Sequence, residues 1–212
     1  MLALHSFLTV VPPSVRFVAL AFEMGGIIAG LVLVIFGAAA IYMGVDGRAT
    51  VRDSLKQEQI TFGAADDPAV AKYASQWAGE PLQTGTEARA FAQVMHEHAL
   101  EGSDGLTYAQ MGRFISADDP ENPAGTSDEE AALKDEEGNP VPNAARSTWV
   151  TATALSTALN MSYMAEQMAL FGIVVGVALL LTGIGLVILA LAALGRHTWG
   201  PFREPHSQAA TA

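Results

Sequence analysis

Residues 168–194 read MALFGIVVGVALLLTGIGLVILALAAL, 27 consecutive positions without a charged side chain. A helix rises about 1.5 Å per residue and a hydrocarbon core is about 30 Å thick, so this stretch spans a bilayer with some tilt or a protruding end. A second uncharged stretch of 22 residues, MGGIIAGLVLVIFGAAAIYMGV, occupies 24–45 and is just long enough to do the same. Ala38-Ala39-Ala40 imitates the cleavage site of a secretory signal, but the run exceeds a usual signal core and only Arg16 precedes it. A spanning helix is therefore the preferred reading of 24–45.

The composition agrees. Half of the 212 residues are apolar and mean hydropathy is +0.29, while only 16% are charged; a soluble domain carries about 25%. Cysteine is absent, which removes disulfides, thiolate metal sites and thiol nucleophiles. The formal charge of −11 argues against nucleic-acid binding, which needs a basic surface to displace counterions.

Two spans predict an all-α membrane protein, a helical hairpin with 1–23 and 195–212 on one side and 46–167 on the other. The positive-inside rule gives a near tie, with Arg16, Arg196 and Arg203 at the ends against Arg48, Arg52 and Lys56 after the first span. Residues 46–166 hold 20 acidic and 8 basic side chains, a net of −12. Such an insert avoids the anionic lipids of the cytoplasmic leaflet, so the expectation is a plasma-membrane protein with cytoplasmic termini and an extracytoplasmic insert.

Within the insert, Val51 and Leu55 at i, i+4 predict that the first helix continues as a stalk over 46–60. Residues 147–167 lack Gly and Pro, and Ala152, Leu155, Leu159, Ser162 and Glu166 alternate three and four apart, predicting a second stalk continuous with 168–194 and antiparallel to the first. Between them, 61–116 predict a small helical cap of three helices. One starts at Asp67-Pro68 and runs to Trp77, one opens at Thr86-Glu87 and stops at Gly102, and one runs from Tyr108 to Ile115 behind a Thr107/Gln110 capping box. Residues 117–146 begin ADDPENPAGTSDEEAALKDEEGNPVPNA, with nine acids, four prolines and one lysine over 117–144. This long acidic loop is expected not to order itself, having little apolar surface to bury. It also lacks the spacing of an EF-hand calcium loop.

The run from Val51 to Phe62, VRDSLKQEQITF, followed by Tyr73, by TGTEARAFAQ over 84–93, by His98 and by Leu106-Thr107-Tyr108-Ala109, resembles a family of uncharacterised actinobacterial two-span membrane proteins. The resemblance covers about residues 48–110, and the acidic loop and the helix after it match less clearly. It implies placement in an actinobacterial cell envelope and no established activity, cofactor or catalytic residue.

Candidate chemistry is sparse. Met95-His96-Glu97-His98 is the densest metal-capable group, yet His96 and His98 are two residues apart and point away from each other on a helix. A structural role is preferred to metal binding, with His98 paired to Tyr108 or Glu101. Met161, Met164 and Met168 are read as core or lipid contacts, and Trp149, Tyr163 and Trp199 as packing or interfacial aromatics. Glu23 is read as an interfacial acid near Arg16 or Arg196, although an intramembrane carboxylate is also a default candidate for ion handling. Gly26 with Gly30, and Gly172 with Gly176, form small-xxx-small pairs that Gly37, Gly183 and Gly185 extend. Two readings stay open for these glycine faces: the spans pack on each other, or one face docks on another membrane protein.

No catalytic triad order, phosphate loop or zinc-protease motif is present in the sequence. The expectation is a non-catalytic accessory subunit of a larger membrane complex, a respiratory one for instance. Its partners would be the lipid bilayer and other integral membrane proteins or itself, and Asp128, Glu129 and Glu130 would steer a basic partner. The alternatives are an extracytoplasmic sensor that binds a ligand or metal, and a small homo-oligomeric channel or transporter.

Overall fold

The computed structural model of the chain describes residues 13–198. Four α-helices follow in order: α1 Pro13–Gln57, α2 Pro68–Tyr73, α3 Gly85–Glu101 and α4 Ala144–Thr198, with single 3-10 turns at Ser75–Trp77 and Tyr108–Gln110. Among the described residues there is no strand, only isolated bridges. Both α1 and α4 are long and apolar enough to cross a membrane, and only 11% and 17% of their most apolar windows are covered by the protein itself. Arg16, Arg196, Arg203 and Trp199, invoked above, lie outside the residues or side chains described.

The chain divides into two compact units, Met1–Met43 with Gly172–Ala212, and Gly44–Phe171. The first consists of the apolar lengths of α1 and α4, which run antiparallel, since Gly30 meets Gly183 and Gly37 meets Gly176. A Cβ built on Gly37 would stand 2.6 Å from the Gly176 carbonyl oxygen, and one on Gly183 2.5 Å from that of Gly30. Neither site can hold a side chain while the backbones stay this close. Gly26 and Gly172 sit more loosely, 3.3 Å from the Ala190 Cβ and 3.8 Å from the Ala40 oxygen. The tight seam therefore repeats every seven residues, through Gly30 and Gly37 on α1 and Gly176, Gly183 and Ala190 on α4, a period that keeps one face in register along a wound helix pair.

The second unit has an ordinary apolar core. Leu55 from the end of α1, Val70 from α2, Ala88, Ala92 and Val94 from α3, and Leu159 from α4 are buried together with Phe62 and Leu82. Phe62 stacks on Trp77 at 5.9 Å and meets Phe91 edge-on at 5.3 Å, geometries that aromatic quadrupoles favour. Helix α3 begins at a capping box two residues before Thr86: Thr84 Oγ1 accepts from the Glu87 N–H, and the Glu87 carboxylate accepts from the Thr84 N–H. Asp67 caps α2 by accepting from the Ala69 and Val70 N–H groups. That helix stops at Ala74 instead of running to Trp77, because Ala74 leaves helical geometry at φ −142°.

Two expectations need correction here. The Thr107/Gln110 box forms but opens a single 3-10 turn, not a helix to Ile115. The residues after it are claimed by distant partners: Phe114 bonds Thr126, Ile115 bonds Val141 and Leu133, and Gly112 packs directly on the Thr126 backbone. The same bonds overturn the expectation that the acidic loop cannot order itself. Residues 112–143 form a bridged lobe in which Ala117 bonds Ala131, Leu133 bonds Val141 and Asn143 bonds Arg113. Buried Asn143 also donates to the Gly112 and Pro123 carbonyls and caps α4 by accepting from the Ala145 and Arg146 N–H groups. Backbone pairing and one buried amide here substitute for the apolar surface the composition lacks.

Candidate functional site

The most concentrated chemistry in the Gly44–Phe171 unit surrounds Glu166. One turn of α1 separates Arg48 from Arg52, so both guanidinium groups leave the same helix face. Glu166 Oε1 accepts from Nε and Nη2 of Arg48, at 3.2 and 3.1 Å, and from Nε and Nη2 of Arg52, at 3.1 and 3.0 Å. Its Oε2 accepts from the Gly85 N–H at 2.6 Å. This first residue of α3 must be glycine for the approach to occur, since a Cβ there would meet Tyr163 Cα at 2.8 Å and Glu166 Oε2 at 2.9 Å. Beside it, Arg89 lies over the Tyr163 ring at 4.9 Å.

Burial pushes the Glu166 carboxyl up, but the Gly85 N–H and the two arginines outweigh it and hold the group below the usual glutamate range. The Glu166 side chain is 7% exposed, whereas those of Arg48 and Arg52 are 34% and 41% exposed. Each guanidinium therefore spends one edge on Glu166 and keeps donors for something else. A cavity of about 240 Å³ adjoins them, lined by Arg48, Arg52, Thr84, Thr86, Glu166, Gln167 and Leu170.

A second, larger cavity of about 520 Å³ is apolar, floored by Leu55, Phe91, Met95, Leu155 and Leu159 with Ser54, Glu58 and Ser162 among its lining residues.

The residues singled out in the sequence fall in separate surroundings. His96 meets the Trp149 ring edge-on at 5.3 Å. His98 Nε2 lies 3.1 Å from Asp67 Oδ2, a partner other than the Tyr108 or Glu101 expected, and the Tyr108 ring carries the Arg146 guanidinium at 4.1 Å. Burial raises the Asp67 carboxyl, but the Val70 N–H, His98 and the Ala69 N–H bring it below its usual range. Glu97 takes Lys72 Nζ at 3.0 Å and the Tyr73 hydroxyl at 3.1 Å. Among the described residues, no group of three or more metal-capable side chains converges. Met161, Met164 and Met168 are exposed, so they are not core residues. Asp128, Glu129 and Glu130 are exposed on the bridged lobe. Of the seven glycines predicted on these faces, Gly30, Gly37, Gly176 and Gly183 form the tight seam of the apolar unit, Gly26 and Gly172 flank it, and Gly185 has open space around its Cβ.

The Glu166 cluster escaped the sequence reading, although its signal was present. Arg48 and Arg52 at i, i+4 and a lone acid on an apolar helix face were each visible, but nothing in the sequence paired them across more than a hundred residues. Comparison with known proteins gives no match, either to a family model, to a curated protein or to a solved structure.

Proposed function

We propose that this chain is a non-catalytic accessory subunit of a larger membrane assembly. It would be anchored by α1 and α4 as a two-span hairpin, with cytoplasmic termini and residues 46–167 outside. The observation that carries the reading is how the apolar helices use their surfaces. Gly30, Gly37, Gly176 and Gly183 are spent on each other, while Phe22, Ile35, Phe36, Phe171, Leu181 and Leu189 stay exposed, a surface suited to lipid or to neighbouring spans. The titratable groups of the cap support a structural role, since Glu166, Glu97, Asp67 and His98 are each engaged in bonds that join one element to another.

The bridged lobe would meet the partner. Its exposed acids, Asp128-Glu129-Glu130 among them, attract a basic surface at long range. Purifying the tagged full chain in mild detergent and resolving it on a native gel tests the reading: a stoichiometric complex is expected, and a lone monomer sinks it. Reversing the three charges to lysine should weaken that complex most at low salt; salt-insensitive association removes the steering role.

A second reading, an extracytoplasmic ligand-binding module, is favoured by the apolar cavity between Leu55, Phe91 and Leu159. Such cavities accept apolar ligands, and co-purification of one with a monomeric chain would make this the better reading.

A further inference from the structure

We propose that the cavity beside Arg48 and Arg52 binds the phosphate group of an anionic phospholipid. The inference rests on the reading of α1 and α4 as membrane spans. Phosphate demands several donors converging on one small volume, with arginine the preferred donor because its planar fork offers paired N–H groups. The cavity supplies two guanidinium groups whose outward donors are not spent on Glu166. Thr84, Thr86 and Gln167, all with polar side chains, are also among its lining residues. Among the described residues lining it the one carboxylate is Glu166, and both its oxygens are already covered by Arg48, Arg52 and the Gly85 N–H. Nearby Glu87 turns its carboxylate to the Gln83 and Thr84 N–H groups. Two arginines against one neutralised acid leave a net positive charge at the mouth.

The position along the helices selects a lipid over a soluble anion. Arg48 follows the last residue of the 24–45 apolar stretch, Val45, by three residues, and Leu170, part of the cavity wall, belongs to the 168–194 stretch. Headgroup phosphates lie at that boundary, where the apolar lengths of both helices begin. Arginine at the end of a span and an apolar wall beside it suit a headgroup whose acyl chains continue into the bilayer.

The test uses the full chain in mild detergent, with phosphatidylglycerol, phosphatidylcholine or inorganic phosphate titrated and bound adducts read by native mass spectrometry. Phosphatidylglycerol should bind about tenfold more tightly than phosphatidylcholine, which presents the same phosphate but brings a choline cation towards two arginines and has no net charge. Gln167→Glu puts a negative charge in the cavity without touching the Glu166 bonds, and should abolish that preference while leaving the melting midpoint in place. If Gln167→Glu lowers the midpoint, Thr86→Val replaces it. Equal binding of the two lipids, or a preference that survives in the folded variant, overturns the proposal. Inorganic phosphate binding as tightly as phosphatidylglycerol overturns the lipid assignment and marks a soluble-phosphate site. Flotation of the wild-type chain with phosphatidylcholine vesicles after an alkaline wash reports separately on the membrane reading, which fails only if the chain does not float.

Discussion

Helices α1 and α4 are joined by opposite means in the two units. In the apolar unit backbone meets backbone: Gly30 lies against Gly183 and Gly37 against Gly176, with the side chains of Val34, Ile41 and Val187 packed onto the glycines. In the Gly44–Phe171 unit the joint is made by long charged side chains, Arg48 and Arg52 reaching Glu166, with Leu55 and Leu159 in a shared core beside it. The difference follows from the surroundings each suits. Between apolar helices in lipid, burying more side chain gains little and close dispersion contact is what remains. Next to water, apolar burial and charge-assisted hydrogen bonds both become useful.

The largest expected effect breaks the seam. Gly37→Leu or Gly183→Leu forces side-chain atoms into the opposing backbone and should cost about 3 kcal/mol, the upper range for overpacking, seen as a lowered melting midpoint in detergent. Gly185→Leu, at a site with open space around its Cβ, should melt like the parent. Equal behaviour of the three variants would mean that the two helices are not held by this seam.

Glu166→Gln comes next. It removes the charge that both arginines and Gly85 address, at about 2 kcal/mol for charge-assisted bonds with partly exposed partners. The same joint gives a pH dependence with a fixed sign. The folded state holds Glu166 below its ordinary value of 4.5, so its contribution is full above that value and is lost as pH falls through the lower folded value. Melting midpoints of the parent and Glu166→Gln should therefore converge on acidification below pH about 4.5. A constant gap assigns the stabilisation to shape, not charge.

The smallest effect is at the entry to α3. Thr84→Ala removes one half of its capping box and should cost about 1 kcal/mol, while Thr86→Ala, two residues later, should cost less. The reverse order would move the helix start back to Thr86-Glu87.

The bridged lobe shows where local reading stops. Nine acids and four prolines in 117–144 describe a segment with little to bury, and composition carries no information about which distant backbone groups will meet. Bonds from Ile115 to Val141 and from Asn143 to Gly112 and Pro123 exist only once the lobe closes. The glycine seam lies between these cases. The four-residue pairs Gly26/Gly30 and Gly172/Gly176 were legible, and the seven-residue repeat that carries the tight contacts was equally visible but masked by the better-known motif.

The sequence by itself determined the two long apolar helices, the cap positions at Asp67 and Thr107, and the charge of the insert. These depend on runs, periods and neighbours within a few residues, where local sterics and solvent preference decide. The tertiary structure alone decided that Glu166 receives Arg48, Arg52 and Gly85, that Gly30 faces Gly183, and that the acidic segment closes on itself. Each of these joins groups far apart in the chain, and an ion pair or a close backbone approach acts only over a few ångströms, so it is specified by the fold that brings the groups together.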